Sequence, residues 1–175
     1  MNKSPILVLG GARSGKSRMA EEIVEGSGLS RFYLATAEPG DAEMHARIAE
    51  HRARRGPGWQ TLETPLDLET ALAETARPER AILVDCLTLW LSNIFLNEGD
   101  VAERITALTV SLRELPGLIV VVSNEVGLGL VPDNALGRSF RDAQGQLNQS
   151  VAGICDTVIF VAAGLPLALK GELPS

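Results

Sequence analysis

Residues 10–17 read GGARSGKS and match the pattern G-x-x-x-x-G-K-S without a mismatch. Glycines in this pattern allow the backbone to curl, so that successive N–H groups point toward phosphate oxygens. The lysine can reach the β- and γ-phosphates of a nucleoside triphosphate, and the serine hydroxyl can ligate Mg²⁺. Only three lysines occur in the 175-residue chain, and one of them here favours a phosphate-binding loop over an empty structural turn. The predicted phosphate contacts are Gly10, Gly11, Ala12, Arg13, Ser14, Gly15, Lys16 and Ser17.

Asp85 directly follows the apolar run of residues 81–84 and is a candidate magnesium ligand. A carboxylate at the end of a buried strand can hold the metal through water, opposite the hydroxyl of Ser17. An alternative role is to cap a helix that begins at Leu87, and the two roles are compatible. We therefore predict Ser17 and Asp85 as the metal-binding pair.

Both histidines lie in residues 44–55, together with four arginines. On a helix, Arg47, His51 and Arg55 would fall four residues apart and share one face. A neutral imidazole is a competent nucleophile toward phosphorus, and arginines on the same face could hold a triphosphate during the attack. The alternative interpretation is a solvated surface helix of mixed charge, and His45 is expected to be an ordinary surface residue.

The composition limits the partners that the chain can have. It carries 16 basic and 22 acidic residues, for a formal charge of −6 and a pI near 5.0. Non-specific nucleic-acid binding needs a basic surface, which this balance disfavours. No apolar stretch approaches the roughly 18 residues of a membrane span, and the first apolar run breaks at residues 10–11, too early for a signal peptide. We therefore expect a soluble, cytoplasmic protein that binds neither nucleic acid nor a membrane.

Two further sequence features bear on function. A guanine-reading N-K-x-D motif is absent from the sequence, which argues against a regulatory GTPase of the Ras type. Cys86 and Cys155 match no metal-binding spacing, so we expect them to be buried packing thiols.

Strand and helix patterns alternate along the chain. Apolar runs predict strands at 6–9, 32–36, 81–84, 118–122 and 157–161, and helical patterns cover 16–25, about 41–55, 67–76, 101–115 and 133–155. Asp41 is the expected N-cap of the second helix. This alternation predicts an α/β fold of the P-loop NTPase type, with a mainly parallel sheet flanked by helices, in a single domain. The predicted domain covers residues 1–170 and residues 171–175 form a tail, although strand structure is expected to end before Pro166.

Taken together, these motifs resemble the bifunctional adenosylcobinamide kinase / adenosylcobinamide-phosphate guanylyltransferase family of cobalamin biosynthesis. The phosphate loop through Arg18 is followed by YLATA at 33–37, by residues 43–51, and by WQTLE at 59–63. The run NEVGLGLVP at 124–132, together with FRD at 140–142 and LNQ at 147–149, is the most distinctive part. The resemblance covers essentially the whole chain in order.

The resemblance implies two reactions on one substrate. ATP or GTP would phosphorylate the aminopropanol hydroxyl of adenosylcobinamide, with Lys16 and Mg²⁺ assisting. GTP would then guanylylate His51, and the GMP would pass to adenosylcobinamide phosphate to give adenosylcobinamide-GDP. The family further implies a homo-oligomer, a trimer. The nucleotide contacts it implies beyond the phosphate loop are Ala35, Thr36, Ala37, Arg52, Ala53, Arg54, Arg55, Glu63 and Asp85.

Two other functions stay open at this point. A single-function small-molecule kinase would keep the phosphate loop and lack the histidine chemistry. A nucleotide-dependent regulatory protein would have no small-molecule substrate. The loop at 124–132 follows a strand's C-terminal end, where substrate contacts are expected in such sheets, but it could equally be a structural turn.

Overall fold

The computed structural model describes residues 5–38, 40 and 42–174. Its seven strands are β1 Ile6–Gly10, β2 Ser30–Ala35, β3 Trp59–Glu63, β4 Arg80–Asp85, β5 Leu118–Asn124, β6 Thr157–Ala162 and β7 Leu165–Lys170. Its helices are α1 Lys16–Gly26, α2 Ala42–Arg55, α3 Leu68–Thr75, α4 Leu87–Leu96, α5 Val101–Glu114 and α6 Ala135–Ile154. The N-cap expected at Asp41 lies outside the described residues.

All seven strands form one sheet in the order β3-β2-β4-β5-β1-β6-β7. The first six are parallel to their neighbours, and only β7 runs antiparallel, beside β6. Helices connect the successive parallel strands up to β6, as parallel pairing requires. The predicted α/β architecture with a mainly parallel sheet flanked by helices is therefore confirmed.

The central strands are buried on both faces because their residues alternate between two apolar clusters. Leu7 and Leu9 of β1 belong to the larger cluster, which α3, α4, α5 and α6 cover. Val8 points to the opposite face, where Ala20 and Val24 of α1 pack. This two-sided burial explains why these strands read as continuous apolar runs in the sequence.

The structure corrects the sequence predictions at both edges of the sheet. Strand structure was expected to end before Pro166, but residues 165–170 form β7. A proline is tolerated there because an edge strand leaves one side of its backbone unpaired. At the opposite edge, β3 was not predicted, since four of its five residues are exposed and it contains no apolar run. Helix α6 begins at Ala135 rather than 133, with the Asn134 side chain accepting a hydrogen bond from the Gly137 amide.

Two leucines on α4 test how much this packing contributes to stability. Leu91 is fully buried, whereas Leu96, five residues later, is 75% exposed. We expect Leu91→Ala to lower the free energy of unfolding by about 2–5 kcal/mol, because it leaves a cavity in the larger cluster. Leu96→Ala should change it by less than about 0.5 kcal/mol. Urea denaturation of both variants measures the difference, and equal effects would contradict the described burial of α4.

Candidate nucleotide-binding and catalytic site

The carboxyl ends of the parallel strands bring the predicted site residues to one edge of the sheet. The strand register pairs Ala35 with Asp85 across β2 and β4, and Gly10 with Asn124 across β1 and β5. Glu125, directly after β5, donates its amide to the carbonyl of Gly10 at 3.1 Å. Ligands of open α/β sheets bind outside this edge, where the strand order reverses.

The phosphate loop joins β1 to α1 in a conformation that needs glycine at two positions. Gly15 has φ 98° immediately before the first residue of α1, a conformation that other residues rarely adopt. A Cβ on Gly10 would collide with the Ser14 hydroxyl and lie 2.6 Å from the Val161 carbonyl oxygen. The Gly164 amide, in the turn between β6 and β7, also donates to the Ser14 carbonyl at 2.8 Å. The loop is thus held from β6 as well as from β1.

The start of α1 has the properties of an anion site. In the described structure, no side chain caps its first turn, so the amides there can face a ligand. The Ser14 hydroxyl is buried, and no hydrogen-bond partner for it lies among the described residues. Lys16 Nζ donates to the Gly11 carbonyl at 2.9 Å, inside the curl of the loop. Burial lowers the pKa of Lys16, although the nearby Cys86 and Asp85 act to raise it.

Asp85 connects this loop with α2. Its side chain is 11% exposed, and its Oδ2 lies 3.7 Å from Nδ1 of His51. The hydroxyl of Tyr33 donates to the same oxygen at 3.1 Å. The predicted nucleophile His51 therefore lies beside the predicted metal ligand Asp85.

Arg55 ends α2 against the sheet. Its guanidinium carbon lies 3.4 Å from the ring centroid of Tyr33, and the residue is only 8% exposed. Its Nη1 is buried without a hydrogen-bond partner among the described residues. A buried, unpaired guanidinium N–H is costly unless a ligand satisfies it, and phosphate oxygens are suitable acceptors.

The other arginines and the acidic residue predicted for the site lie farther out. Arg52 and Glu63 are exposed and 3.7 Å apart, a geometry that contributes little by itself. Ala53 is exposed, and nothing is described of the Arg54 side chain. His45 is exposed, as expected of a surface histidine.

Residues 35–37 connect β2 to this edge, and the Thr36 side chain is fully buried. Its hydroxyl donates to the Cys86 carbonyl at 2.6 Å and accepts from the Cys86 amide at 2.8 Å. Asn93 of α4 donates to the Thr36 carbonyl at 2.9 Å. These bonds fix the backbone directly after Asp85, so the Thr36 side chain is engaged in holding the site together. The predicted nucleotide contacts at residues 35–37 stay a prediction.

A second polar group holds the exit of β5. Gln144 donates to the Ser123 hydroxyl at 2.9 Å and to Oδ1 of Asn148 at 3.0 Å, and Asn148 donates to the Asn124 carbonyl at 3.1 Å. The loop that follows is exposed, and Leu130 reaches 96% exposure. Sequence reasoning singled out residues 147–149 by resemblance only and predicted no contact for Gln144.

Both cysteines are buried free thiols, which confirms their predicted packing role. Burial raises the pKa of each to about 12, so neither is a thiolate nucleophile near neutral pH.

Ser17 and Asp85 are the residues predicted to bind a metal ion. Within the described part of the chain, no three or more His, Cys, Asp or Glu side chains are grouped so that they could hold a metal ion. The hydroxyl of Ser17 and the carboxylate of Asp85 do fit Mg²⁺, which is commonly held by one or two protein oxygens together with phosphates and waters. No helix among the described residues combines the length and the apolar character that a membrane span requires.

Comparison with known proteins supports the sequence resemblance. A family model described as cobinamide kinase / cobinamide phosphate guanyltransferase matches residues 6–169. The bifunctional adenosylcobalamin biosynthesis protein CobP of Pseudomonas aeruginosa is 54% identical over 170 residues, covering 95% of this chain and 97% of that protein. The bifunctional adenosylcobalamin biosynthesis protein CobU of Salmonella typhimurium is 37% identical over 180 residues, covering 94% of this chain and 99% of that protein.

Solved structures similar to this chain share its fold. An ATPase from the type III secretion system of pathogenic bacteria has a TM-score of 0.62 at 14% identity, covering 95% of this chain and 57% of that one. The flagellar accessory protein FlaH from Methanocaldococcus jannaschii has a TM-score of 0.54 at 13% identity, covering 98% of this chain and 80% of that one. At such identities the likeness concerns the fold alone, and it agrees with the predicted P-loop NTPase class.

Two glycines of the phosphate loop provide a matched test of its geometry. Gly10→Ala should lower the free energy of unfolding by about 1–3 kcal/mol, because the new Cβ meets the Val161 backbone. Gly11→Ala should change it by less than about 0.5 kcal/mol, since no described atom lies within 4 Å of its Cβ position. Thermal unfolding followed by calorimetry compares the two variants. A Gly10 variant as stable as the Gly11 variant would show that the loop does not have this conformation.

Proposed function

The chain belongs to the cobinamide kinase / cobinamide phosphate guanyltransferase family, and from that premise we propose that it carries out two successive reactions at this edge of the sheet. In the first, ATP or GTP phosphorylates the aminopropanol hydroxyl of adenosylcobinamide. In the second, GMP passes from GTP through His51 to adenosylcobinamide phosphate, giving adenosylcobinamide-GDP. The observation that carries the proposal is that His51 lies 3.7 Å from Asp85, the last residue of β4, at the edge of the sheet where the phosphate loop follows β1.

The kinase step needs positioning and charge neutralisation more than covalent help from the protein. The substrate hydroxyl oxygen bonds to the γ-phosphorus, the bond from that phosphorus to the β–γ bridging oxygen breaks, and the hydroxyl proton passes to solvent. The loop amides hold the phosphates, and Lys16 neutralises charge on the β- and γ-phosphates. Lys16 already lies within the loop through its bond to the Gly11 carbonyl, which a phosphate oxygen would replace.

Magnesium would be held by Ser17 and Asp85 together with the phosphates of the nucleotide. When bound, it supplies charge neutralisation and fixes the orientation of those phosphates. Ser17 is the second residue of α1, and Asp85 is the last of β4, so each donor comes from a rigid element.

The guanylyl transfer needs a nucleophile and a way to stabilise charge on the phosphates. The side chain of His51 is 32% exposed, so a substrate can reach it. Its ring nitrogen bonds to the α-phosphorus of GTP while the α–β bridging bond breaks and pyrophosphate leaves with the electron pair. A phosphate oxygen of adenosylcobinamide phosphate then displaces the imidazole from that phosphorus. Arg55, one turn after His51 and with a buried unpaired N–H, is suited to bind the phosphate oxygens in both steps.

We further propose that both reactions use one triphosphate site. The phosphate loop follows β1 and Asp85 ends β4 at the same edge of the sheet, and His51 lies 3.7 Å from the Asp85 carboxylate. A triphosphate on the loop would therefore have its phosphates between Lys16 and α2. From the sequence we also propose that the protein is a homotrimer, that it lies in the cytoplasm and that it does not bind nucleic acid.

Lys16→Ala should lower cobinamide kinase activity at least about a hundredfold, because the variant loses the cation that neutralises the transferred phosphoryl group. The measurement is the phosphorylation of adenosylcobinamide by γ-labelled ATP or GTP. Arg18→Ala is a matched control, since it removes a positive charge from the exposed side of the same helix, where Arg18 pairs with Glu22. Kinase turnover of the Lys16 variant at the wild-type rate would refute its role. Failure of the wild-type protein to phosphorylate cobinamide would favour the regulatory alternative.

His51→Ala should abolish the covalent labelling of the protein by α-labelled GTP and Mg²⁺, since it removes the nucleophile. The wild-type label should be labile in acid and stable in base, as a phosphorus–nitrogen bond requires. His45→Ala, which alters the exposed histidine on the same helix, should label like the wild type. Label that persists in the His51 variant would contradict the assignment. Absence of label from the wild type would favour a single-function kinase.

A further inference from the structure

Tyr33 lies inside β2, and sequence analysis assigned it no role. The residue is 6% exposed and has neighbours on three sides. Its hydroxyl donates to Oδ2 of Asp85 at 3.1 Å, the face of its ring is covered by Arg55, and its edge packs against Trp59 with centroids 6.3 Å apart. Tyr33 therefore contacts Asp85, which lies beside His51, and Arg55, which follows His51 by one helical turn on α2.

The contact with Asp85 fixes the carboxylate. Tyr33 and His51 approach the same oxygen, Oδ2, from β2 and from α2. Donation from a rigid strand holds the rotamer of Asp85 in which Oδ2 faces Nδ1 of His51.

The contact with Arg55 fixes the end of α2. The guanidinium stacks on the ring at 3.4 Å, within the range of a cation–π interaction. Since Arg55 lies four residues after His51, both side chains project from the same face of the helix. The stack fixes the buried N–H of Arg55 on the helix face that carries His51, where the phosphates of a substrate would lie.

We propose that Tyr33 is the positioning residue for guanylyl transfer: through Asp85 and Arg55 it turns Nδ1 of His51 toward the carboxylate and Nε2 toward the α-phosphorus. This inference rests on the proposed function, in which His51 is the nucleophile. The distance of 3.7 Å is longer than a hydrogen bond, and such catalytic contacts commonly shorten when substrate binds.

In the attack on the α-phosphorus, the imidazole of His51 carries its proton on Nδ1. The lone pair of Nε2 forms the bond to the α-phosphorus, and the α–β bridging bond breaks as pyrophosphate leaves. The ring then carries a positive charge and keeps its Nδ1–H, which faces the Asp85 carboxylate. When the acceptor phosphate displaces the imidazole, the electron pair returns to Nε2. Asp85 thereby stabilises the charge that develops on the ring, in the way an orienting carboxylate supports a catalytic histidine.

Tyr33→Phe isolates the hydroxyl, because the ring that supports Arg55 and fills the core is retained. The matched control is Trp59→Phe, which changes an aromatic neighbour of the same ring and removes a hydrogen bond to Glu25, but leaves the Tyr33 hydroxyl in place. Three measurements are made on the full chain: the single-turnover rate of labelling by α-labelled GTP, the cobinamide kinase rate, and the nitrogen isomer of the phosphohistidine. That isomer is obtained by removing the nucleoside with periodate and separating the products by chromatography.

Tyr33→Phe should slow the labelling roughly tenfold, the size expected for losing one hydrogen bond to a charged group. Its kinase rate should fall less than about threefold, since Lys16 and the loop amides are untouched and the Asp85 carboxylate, with Ser17 and the nucleotide phosphates, would still be available to Mg²⁺. Trp59→Phe should label at the wild-type rate, and the wild-type phosphoryl group should be on Nε2.

Three results would overturn the inference while leaving the proposed function intact. They are wild-type labelling by Tyr33→Phe, an equal loss of both activities in that variant, and a wild-type phosphoryl group on Nδ1. A wild-type protein that takes up no label would instead overturn the proposed function, and the inference with it.

Discussion

The carboxylate of Asp85 is shared by elements from opposite sides of the site, and the arrangement of the other functional groups depends on that sharing. Tyr33 donates to Oδ2 from the neighbouring strand, and His51 approaches the same oxygen from α2. The same negative charge acts on Lys16 in the phosphate loop. A strand end is the most rigid place for such a group, because the ladder on both sides fixes its backbone.

The fold supports this carboxylate through buried polar bonds just beyond it. Thr36 bonds to both backbone groups of Cys86, and Thr88 accepts the amide of Asn124 at 2.9 Å. These contacts tie the ends of β2, β4 and β5 together. Buried polar groups that are satisfied in this way favour one arrangement strongly, because each alternative leaves a group unpaired. The site is therefore preorganised before any nucleotide binds.

The phosphate loop and the five strands predicted were accessible from sequence because their signals are local: a glycine pattern and short apolar runs. The two edge strands could not be predicted, because a proline at 166 suggests the end of strand structure and because β3 is largely exposed. His51 and Asp85 were predicted from the sequence to be functional residues, but their proximity depends on the register of the sheet and the position of α2. A role for Tyr33 could not be predicted for the same reason. Within a buried strand its sequence position indicates a core aromatic residue, and only the fold shows that its hydroxyl bonds to Asp85.

One triphosphate, held by the phosphate loop, is proposed to serve both Lys16 and His51. The most direct test is the single-turnover rate at which α-labelled GTP guanylylates His51 in the Lys16→Ala variant. A shared site predicts that this rate falls roughly tenfold or more, because Lys16 would stabilise charge on the departing pyrophosphate as well. Guanylylation at the wild-type rate, in a variant that has lost its kinase activity, would contradict the claim and require a second nucleotide site.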